Sequence, residues 1–324
     1  MKNKKTIDPS EIKILVCCHK KCELPPNPDG IFLPIQVGAA ISDVDLGIQR
    51  DDQVNGQPCD NISDKNKSYC ELTALYWAWK NIKKIYPNIK YIGLNHYRRF
   101  FDFERITHCD YITENENEIS KYHFNSEKLC NILSQYKFIA PKKKTYPYTI
   151  GIHYCNSHIS EDYEILKKTL INLFPEYERS FHYVFEINNK ISFYNMFICS
   201  YEDFCSYCEW LFAILFEVEK KCDISNYNQL QGRIFGYMAE RLLNVYIFHN
   251  KFKLKYYPVV WYLKTKEKTI SIWKYVIHNI KNNISNHFLY LACVDSVKQY
   301  FADFIKYHLR FSDKTINKLK KIFK

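Results

Sequence analysis

Lys90-Tyr91-Ile92-Gly93-Leu94-Asn95-His96-Tyr97-Arg98-Arg99-Phe100 is the stretch that decides the architecture. Its first half is a short apolar run with the character of a buried strand, and its second half turns abruptly polar and basic. Upstream, Leu72, Leu75, Tyr76, Trp79 and Ile82 recur at helical spacing until Pro87-Asn88 stops the pattern. Helix, strand and polar tip in that order are the rhythm of an α/β sheet. Ligands of open α/β sheets gather at the carboxyl ends of strands, where loops and helix N-termini converge, so the polar tip is a candidate site.

The same grammar extends in both directions. Residues 12–18, Ile-Lys-Ile-Leu-Val-Cys-Cys, form a first buried strand whose polar end is His19-Lys20. The segment holding Pro25, Pro26, Pro28 and Gly30 cannot be helical, and it leads through Ile31–Val37 into a long polar connection, Asp43–Ser68. Further on, helices are predicted over 126–135, 161–173, 201–218 and 232–244, with short strands at 136–140, 193–200 and 255–261. Nothing repeats at a fixed period, which excludes a solenoid or propeller.

Composition narrows the class. The chain has 324 residues, and 47% hydrophobic content with only 8 Gly and 11 Pro excludes a disordered, collagen-like or linker protein. Net charge is +11, but residues 261–324 hold thirteen Lys/Arg against four Asp/Glu, so the body is nearly neutral and the tail is basic. We therefore divide the chain into a domain at 1–261 and a basic, mainly helical extension at 262–324. Within 296–324, apolar residues such as Phe301, Phe304 and Ile305 alternate with lysines, a pattern suited to an anionic membrane surface. The basic excess at one end is not a groove with interleaved stacking platforms, so no nucleic-acid partner is expected. Thirteen cysteines, an odd number without paired spacing, read as free thiols of a reducing compartment. With no apolar run behind the basic start and no long uncharged apolar segment, the expectation is a cytoplasmic protein, peripheral at the inner face of the cell membrane.

Candidate site residues follow from chemistry. Arg98 and Arg99 offer fork-shaped donors to phosphate, and His96 beside them suits phosphate contact or proton transfer. His19 and Lys20 are placed to hold a nucleotide. Ser68 with Glu71 three residues later reads as a capping box, while the same helix start gives Asn66 and Glu71 a substrate role. Trp77 and Trp79 cannot share one helix face, so one of them is core and the other is free to stack on a neighbour or a sugar. His153 and His158 read as lining an acceptor pocket, and Asp162 as a helix cap or a base. Glu240, two turns from Arg233, is either a desolvated base or the partner of Arg233 or Arg241. Asp43, Asp45, Asp51 and Asp52 are open to a divalent ion, a sugar hydroxyl or a solvated loop. The common glycine-rich, Walker and zinc spacings are missing.

Asn61-Ile62-Ser63, Lys65-Asn66, Tyr69-Cys70-Glu71-Leu72-Thr73 and Tyr76-Trp77-Ala78-Trp79-Lys80-Asn81, followed by Ile92–Phe100, resemble the bacterial DUF4422 family of capsular and exopolysaccharide biosynthesis proteins, regarded as glycosyltransferases. The resemblance continues through His153-Tyr154, His158, Asp162, Asn195-Met196-Phe197 and Arg233–Leu242, covers roughly residues 11–260 and leaves the tail outside. It implies a GT-A-like fold with one Rossmann-like nucleotide-sugar domain. The implied reaction moves a sugar, galactose in pyranose or furanose form, from a UDP-sugar to a polysaccharide repeat unit or its lipid-linked precursor. Under that implication His19, Lys20, Asn66, Asn95, Arg98, Arg99 and Arg233 hold the donor. Glu71, Trp77, His158 and Asn195 face the acceptor, and Glu240, Asp162, His153 and His96 are the candidates for proton transfer. The usual Asp-x-Asp of metal-dependent relatives is replaced by Asn95-His96-Tyr97, which leaves Mg²⁺ or Mn²⁺ open and gives Arg98 and Arg99 the task of offsetting leaving-group charge. The alternative classes are another phosphate-ligand enzyme and a noncatalytic membrane-surface or nucleic-acid binding protein.

Overall fold

The computed structural model describes residues 7–104, 111–264, 277 and 280–287. Ten strands form the main sheet: β1 (Ile12–Cys18), β2 (Phe32–Gln36), β3 (Gln49–Arg50), β4 (Tyr91–His96), β5 (Arg99–Phe101), β6 (Tyr111–Asn115), β7 (Phe138–Pro141), β8 (Phe197–Ser200), β9 (Leu254–Tyr257) and β10 (Val259–Leu263). Their order is β9-β7-β8-β4-β1-β2-β3, with β5, β10 and β6 branching from β4. β1 lies parallel to both β2 and β4. All of its residues are buried, as a central parallel strand covered on both faces requires. β8 runs antiparallel beside β4 and comes so close that a Cβ on Gly93 would stand 2.7 Å from Ile198 Cγ1 and the Phe197 carbonyl. Only glycine fits there.

The main helices are α1 (Leu72–Asn81), α2 (Ser126–Leu133), α3 (Ile150–Ser157), α4 (Ser160–Leu173), α5 (Tyr201–Glu219) and α6 (Ile234–Asn250). Ser200 caps α5 by accepting from the Asp203 N–H at 3.1 Å, so the chain passes from β8 into the helix without a loop. The capping box expected at Ser68 and Glu71 does not form: Ser68 bonds back to the Lys65 carbonyl, and Glu71 itself stands at the N-cap of α1 without a side-chain cap bond. Asp162 likewise does not cap α4, whose cap is Ile159. β2 and α3 were not read from the sequence. β2 carries Pro34, and α3 has a mixed rather than one-sided apolar pattern.

β10 reaches Leu263, just beyond the boundary drawn from composition, and Tyr262 is buried in it. Residues 280–287 are helical. The amphipathic pattern at 296–324 lies outside the described residues. Among those residues no helix is long and apolar enough to cross a membrane.

Candidate active site

The register of β1 against β4 places Cys17 opposite His96, so His19 and the turn Tyr97-Arg98 emerge at one edge of the sheet. That turn is tight: His96 pairs with Arg99 as the chain doubles back into β5, which keeps both arginines at the edge. A cleft of about 920 Å³ opens there, walled on one side by Asn66–Glu71 and on the other by the loop from Ile224 and the start of α6. The volume suits a small-molecule ligand of substantial size.

Arg98, Arg99 and Arg233 line the cleft, and among the described residues no carboxylate stands within ion-pairing distance of any of them. Arg99 is held between the rings of Trp261, 4.4 Å from its guanidinium carbon, and Tyr194 at 4.9 Å, while its Nε is buried without a hydrogen-bond partner. An unpaired buried guanidinium donor is costly unless an acceptor arrives. Arg233 precedes the first residue of α6 and donates from Nε to Cys70 Sγ at 3.3 Å, so its charge adds to the positive end of the helix dipole. At the rim, exposed His19 meets the Tyr97 ring edge-on at 5.0 Å, with Lys20 5.6 Å and Arg98 5.1 Å from the same ring. Partial desolvation by the cleft wall and the charges of Lys20, Arg98 and Arg233 together lower the His19 pKa.

Two carboxylates oppose these cations. Burial raises the Glu71 pKa, against the Asn195 amide, which donates to Oε1 at 2.7 Å, and against Arg233 and Arg99. Burial also raises that of Glu240, opposed by Arg241 and reinforced by the Glu71 charge; its side chain is 18% exposed. Glu240 accepts from the Tyr194 N–H at 3.0 Å and from Arg241 Nη1 at 3.0 Å. His96 is desolvated and surrounded by arginines, which pushes its pKa down to about 3. It is therefore neutral, and since Nε2 lies 2.7 Å from the Tyr194 carbonyl oxygen, that nitrogen carries the proton.

The sequence pattern of the family described as a domain of unknown function, DUF4422, matches residues 13–251, most of the chain. This protein belongs to the DUF4422 family. A solved apo structure of WbbM, titled a bifunctional glycosyltransferase, superposes with a TM-score of 0.67 at 29% identity, over 78% of this chain. The chain spans 45% of that protein, less than half its length. No match is found among curated proteins. With this likeness the sheet order and its carboxyl-edge cleft are those of a GT-A-like Rossmann-type fold.

Several residues that the sequence suggested for this DUF4422 site lie elsewhere. Trp77 is fully buried and donates from Nε1 to the Gln53 carbonyl at 2.8 Å, so it is the core tryptophan, while Trp79 stacks on Phe212. Asp162 is 3% exposed and accepts from the Tyr227 hydroxyl at 2.8 Å; it holds a wall residue of the cleft and does not face the cavity itself. His153 sits among Tyr146, Tyr148 and Phe193 and bonds Arg241, with burial lowering its pKa to about 3. His158 stacks on Tyr237 at 4.0 Å, and burial lowers its pKa to about 4. Asn66 does line the cleft, but its amide is committed to the Cys70 carbonyl and Thr73. Asn95 is buried with Oδ1 unpaired. Asn195 reaches the site through Glu71. Cys70 and Tyr194 were missed: both have positive φ, 53° and 77°, a backbone signal that side-chain chemistry does not announce.

The loop aspartates do not build a protein-only cation site. Asp51 is taken up by the N–H groups of Gly38 and Ala39 and the Ser63 hydroxyl, and Asp52 by Arg50, which also faces Asp45. Among the described residues no group of three His, Cys, Asp or Glu is arranged to hold a metal. At the strand tip the carboxylates of the usual motif are replaced by a buried amide and a histidine whose ring N–H is already committed.

Proposed function

We propose that this DUF4422 protein is a glycosyltransferase moving a sugar from a UDP-sugar, galactose in pyranose or furanose form foremost, to a capsular or exopolysaccharide acceptor. The observation that carries the reading is the convergence of Arg98, Arg99 and Arg233, free of carboxylate partners among the described residues, on a cleft that also holds Glu71 and Glu240. In the transfer, the bond between the anomeric carbon and the diphosphate oxygen breaks, and its electron pair stays on that oxygen. Fixed guanidinium charges are suited to the anion that develops, since they need no reorganisation. The acceptor hydroxyl bonds to the anomeric carbon and gives its proton to Glu240, whose burial gives it a higher proton affinity than an ordinary carboxylate. Glu71 orients acceptor hydroxyls, and His19 with Lys20 flanks the nucleotide at the rim. His96 serves as a neutral donor to the Tyr194 carbonyl.

The test is turnover of a panel of UDP-, GDP- and dTDP-sugars with lipid-linked saccharide acceptors, scored by product mass. Glu240→Gln should lower kcat by about 10²-fold or more, with UDP affinity retained in calorimetry. A wild-type chain that neither binds UDP nor turns over any donor would overturn the reading. The basic excess at 261–324 further supports attachment to an anionic bilayer, where the acceptor would be held. Deletion of 296–324 should then weaken sedimentation with anionic liposomes and spare UDP binding, and unchanged sedimentation would remove the membrane from the proposal.

A further inference from the structure

We propose that Tyr194 and Asn195 form a positioning clamp that fixes both cleft carboxylates, Tyr194 through its backbone and Asn195 through its side-chain amide. The catalytic part of this role rests on the transfer reaction proposed above. Tyr194 and Asn195 have φ of 77° and 52°, two successive non-glycine residues in the left-handed region just before β8. Side chains disfavour that conformation, and it persists only where surrounding contacts over-determine it. Here the contacts are visible. The Tyr194 N–H donates to Glu240 Oε1 at 3.0 Å, and its carbonyl accepts from His96 Nε2 at 2.7 Å. One residue's backbone thus ties the proposed base on α6 to the end of β4.

The next residue holds the second carboxylate. Asn195 is 1% exposed, and its amide nitrogen spends both hydrogens, on Glu71 Oε1 at 2.7 Å and on the Gly236 carbonyl at 3.1 Å. Its Oδ1 is buried without a partner, so the amide is oriented for its two donors and the acceptor is left uncompensated. Gly236 belongs to the first turn of α6 and packs on Cys70, where an added Cβ would approach Sγ to 3.3 Å. The amide therefore joins the residue that precedes α1 to the first turn of α6, while the neighbouring Tyr194 N–H holds Glu240. Glu71 also faces Glu240, Arg99, Arg233, the thiols of Cys17 and Cys70 and the Tyr207 phenol, contributed by β1, β5, α5 and α6 and by its own turn. Its carboxylate accepts from the Asn195 amide and, more weakly, from its own backbone N–H, so loss of the amide removes the larger of the two hydrogen bonds and favours the protonated carboxyl.

The experiment uses the full chain and two pairs of variants. Asn195→Gly keeps the left-handed backbone and removes the amide. In a carbon-13 carboxyl titration, with Glu71 assigned from Glu71→Gln, its midpoint should rise by about one pH unit or more. Lower kcat should accompany that shift, with donor KM within about 2-fold. Both Tyr194→Val and Tyr194→Gly lose the ring that packs on Arg99, but Tyr194→Val, which resists positive φ, should have a kcat about 10-fold or more below that of Tyr194→Gly, which adopts that φ freely. An unchanged Glu71 midpoint in folded Asn195→Gly overturns the clamp. If that variant does not fold, equal kcat in the two Tyr194 variants overturns it instead. Absence of turnover in the wild type would defeat the transfer reaction and not the clamp, because the carboxyl titration still decides whether Asn195 governs Glu71.

Discussion

The arginine-lined cleft and the histidine cluster behind it use nearly the same residue types, and they lie back to back on α6. Arg241, 2% exposed, connects them: it donates to Glu240 Oε2 at 3.0 Å on one side and meets His153 Nδ1 at 3.2 Å on the other. In the cluster both histidines and the arginine charge are engaged by the protein, although Arg241 Nε and the Tyr154 hydroxyl are buried without a hydrogen-bond partner. An arginine cannot accept a hydrogen bond, so His153 Nδ1 must, and the ring is locked neutral among aromatic faces. His158 lies flat on Tyr237 and faces Gln231. In the cleft the charges are left over: Arg241 has Glu240 as its partner, whereas Arg98, Arg99 and Arg233 have no carboxylate partner among the described residues. A binding site differs from a polar core less in which residues it contains than in whether their charges are already paired.

The largest expected effect breaks this comparison on the cleft side. Arg99→Met keeps the apolar bulk between Tyr194 and Trp261 and removes the charge and its unmatched donor. We expect donor turnover to fall by at least ~10-fold, about 1.4 kcal/mol of transition-state stabilisation, with an unchanged circular dichroism spectrum. Wild-type kinetics in the folded variant would mean that the unpaired guanidinium serves packing alone.

A smaller and different effect is expected from the cluster. Burial holds His153 near a pKa of about 3 and His158 near about 4, against an ordinary value of 6.5. Both are therefore neutral in the folded chain while the unfolded chain takes up protons below that ordinary value. Their stabilising contribution is present above pH 6.5 and is lost progressively as pH falls toward the folded values. Melting temperature should decline over that window, and His153→Gln should flatten the decline while leaving donor KM within about 2-fold. A His153→Gln variant with an unaltered slope and a cleft-like loss of kcat would join the cluster to the active site.

These outcomes bear on what a sequence can reveal. The strand that ends at His96, the helix over Leu72–Asn81 and the basic turn at Arg98-Arg99 were readable because apolar period and abrupt polarity change are local signals. The β2 strand was not, since Pro34 and a mixed flank hide its edge of the parallel sheet. The partition between cleft and cluster was also hidden. Trp77, His153 and His158 have the chemistry of sugar contacts, and only the tertiary fold shows that Gln53, Arg241 and Tyr237 already occupy them. Asp162 is the same case, its carboxylate spent on Tyr227. The clamp at Tyr194-Asn195 was beyond reach for another reason. Positive φ in a tyrosine is imposed by the surrounding structure and leaves no mark in composition.

The smallest effect sharpens the cleft itself, by separating its rim from its floor. Lys20 is exposed, and its ammonium stands 5.6 Å from the Tyr97 ring, whereas Arg99 lies between two rings with a buried nitrogen. An exposed cation acts through water and shares its field with the solution, so its pairing with a donor phosphate is worth about 0.2–1 kcal/mol. Lys20→Ala should therefore raise donor KM by only about 2-fold to 5-fold at low salt and leave kcat unchanged. Added salt shortens the screening length to about 3 Å near 1 M and should abolish this difference between variant and wild type. The Arg99→Met defect should survive the same salt, because a cation held between rings is reached poorly by mobile ions. Kinetics at both ionic strengths decide the point: a salt-insensitive Lys20 effect would move that lysine from the rim into the site, and a salt-sensitive Arg99 effect would show that the cleft floor is open to solvent.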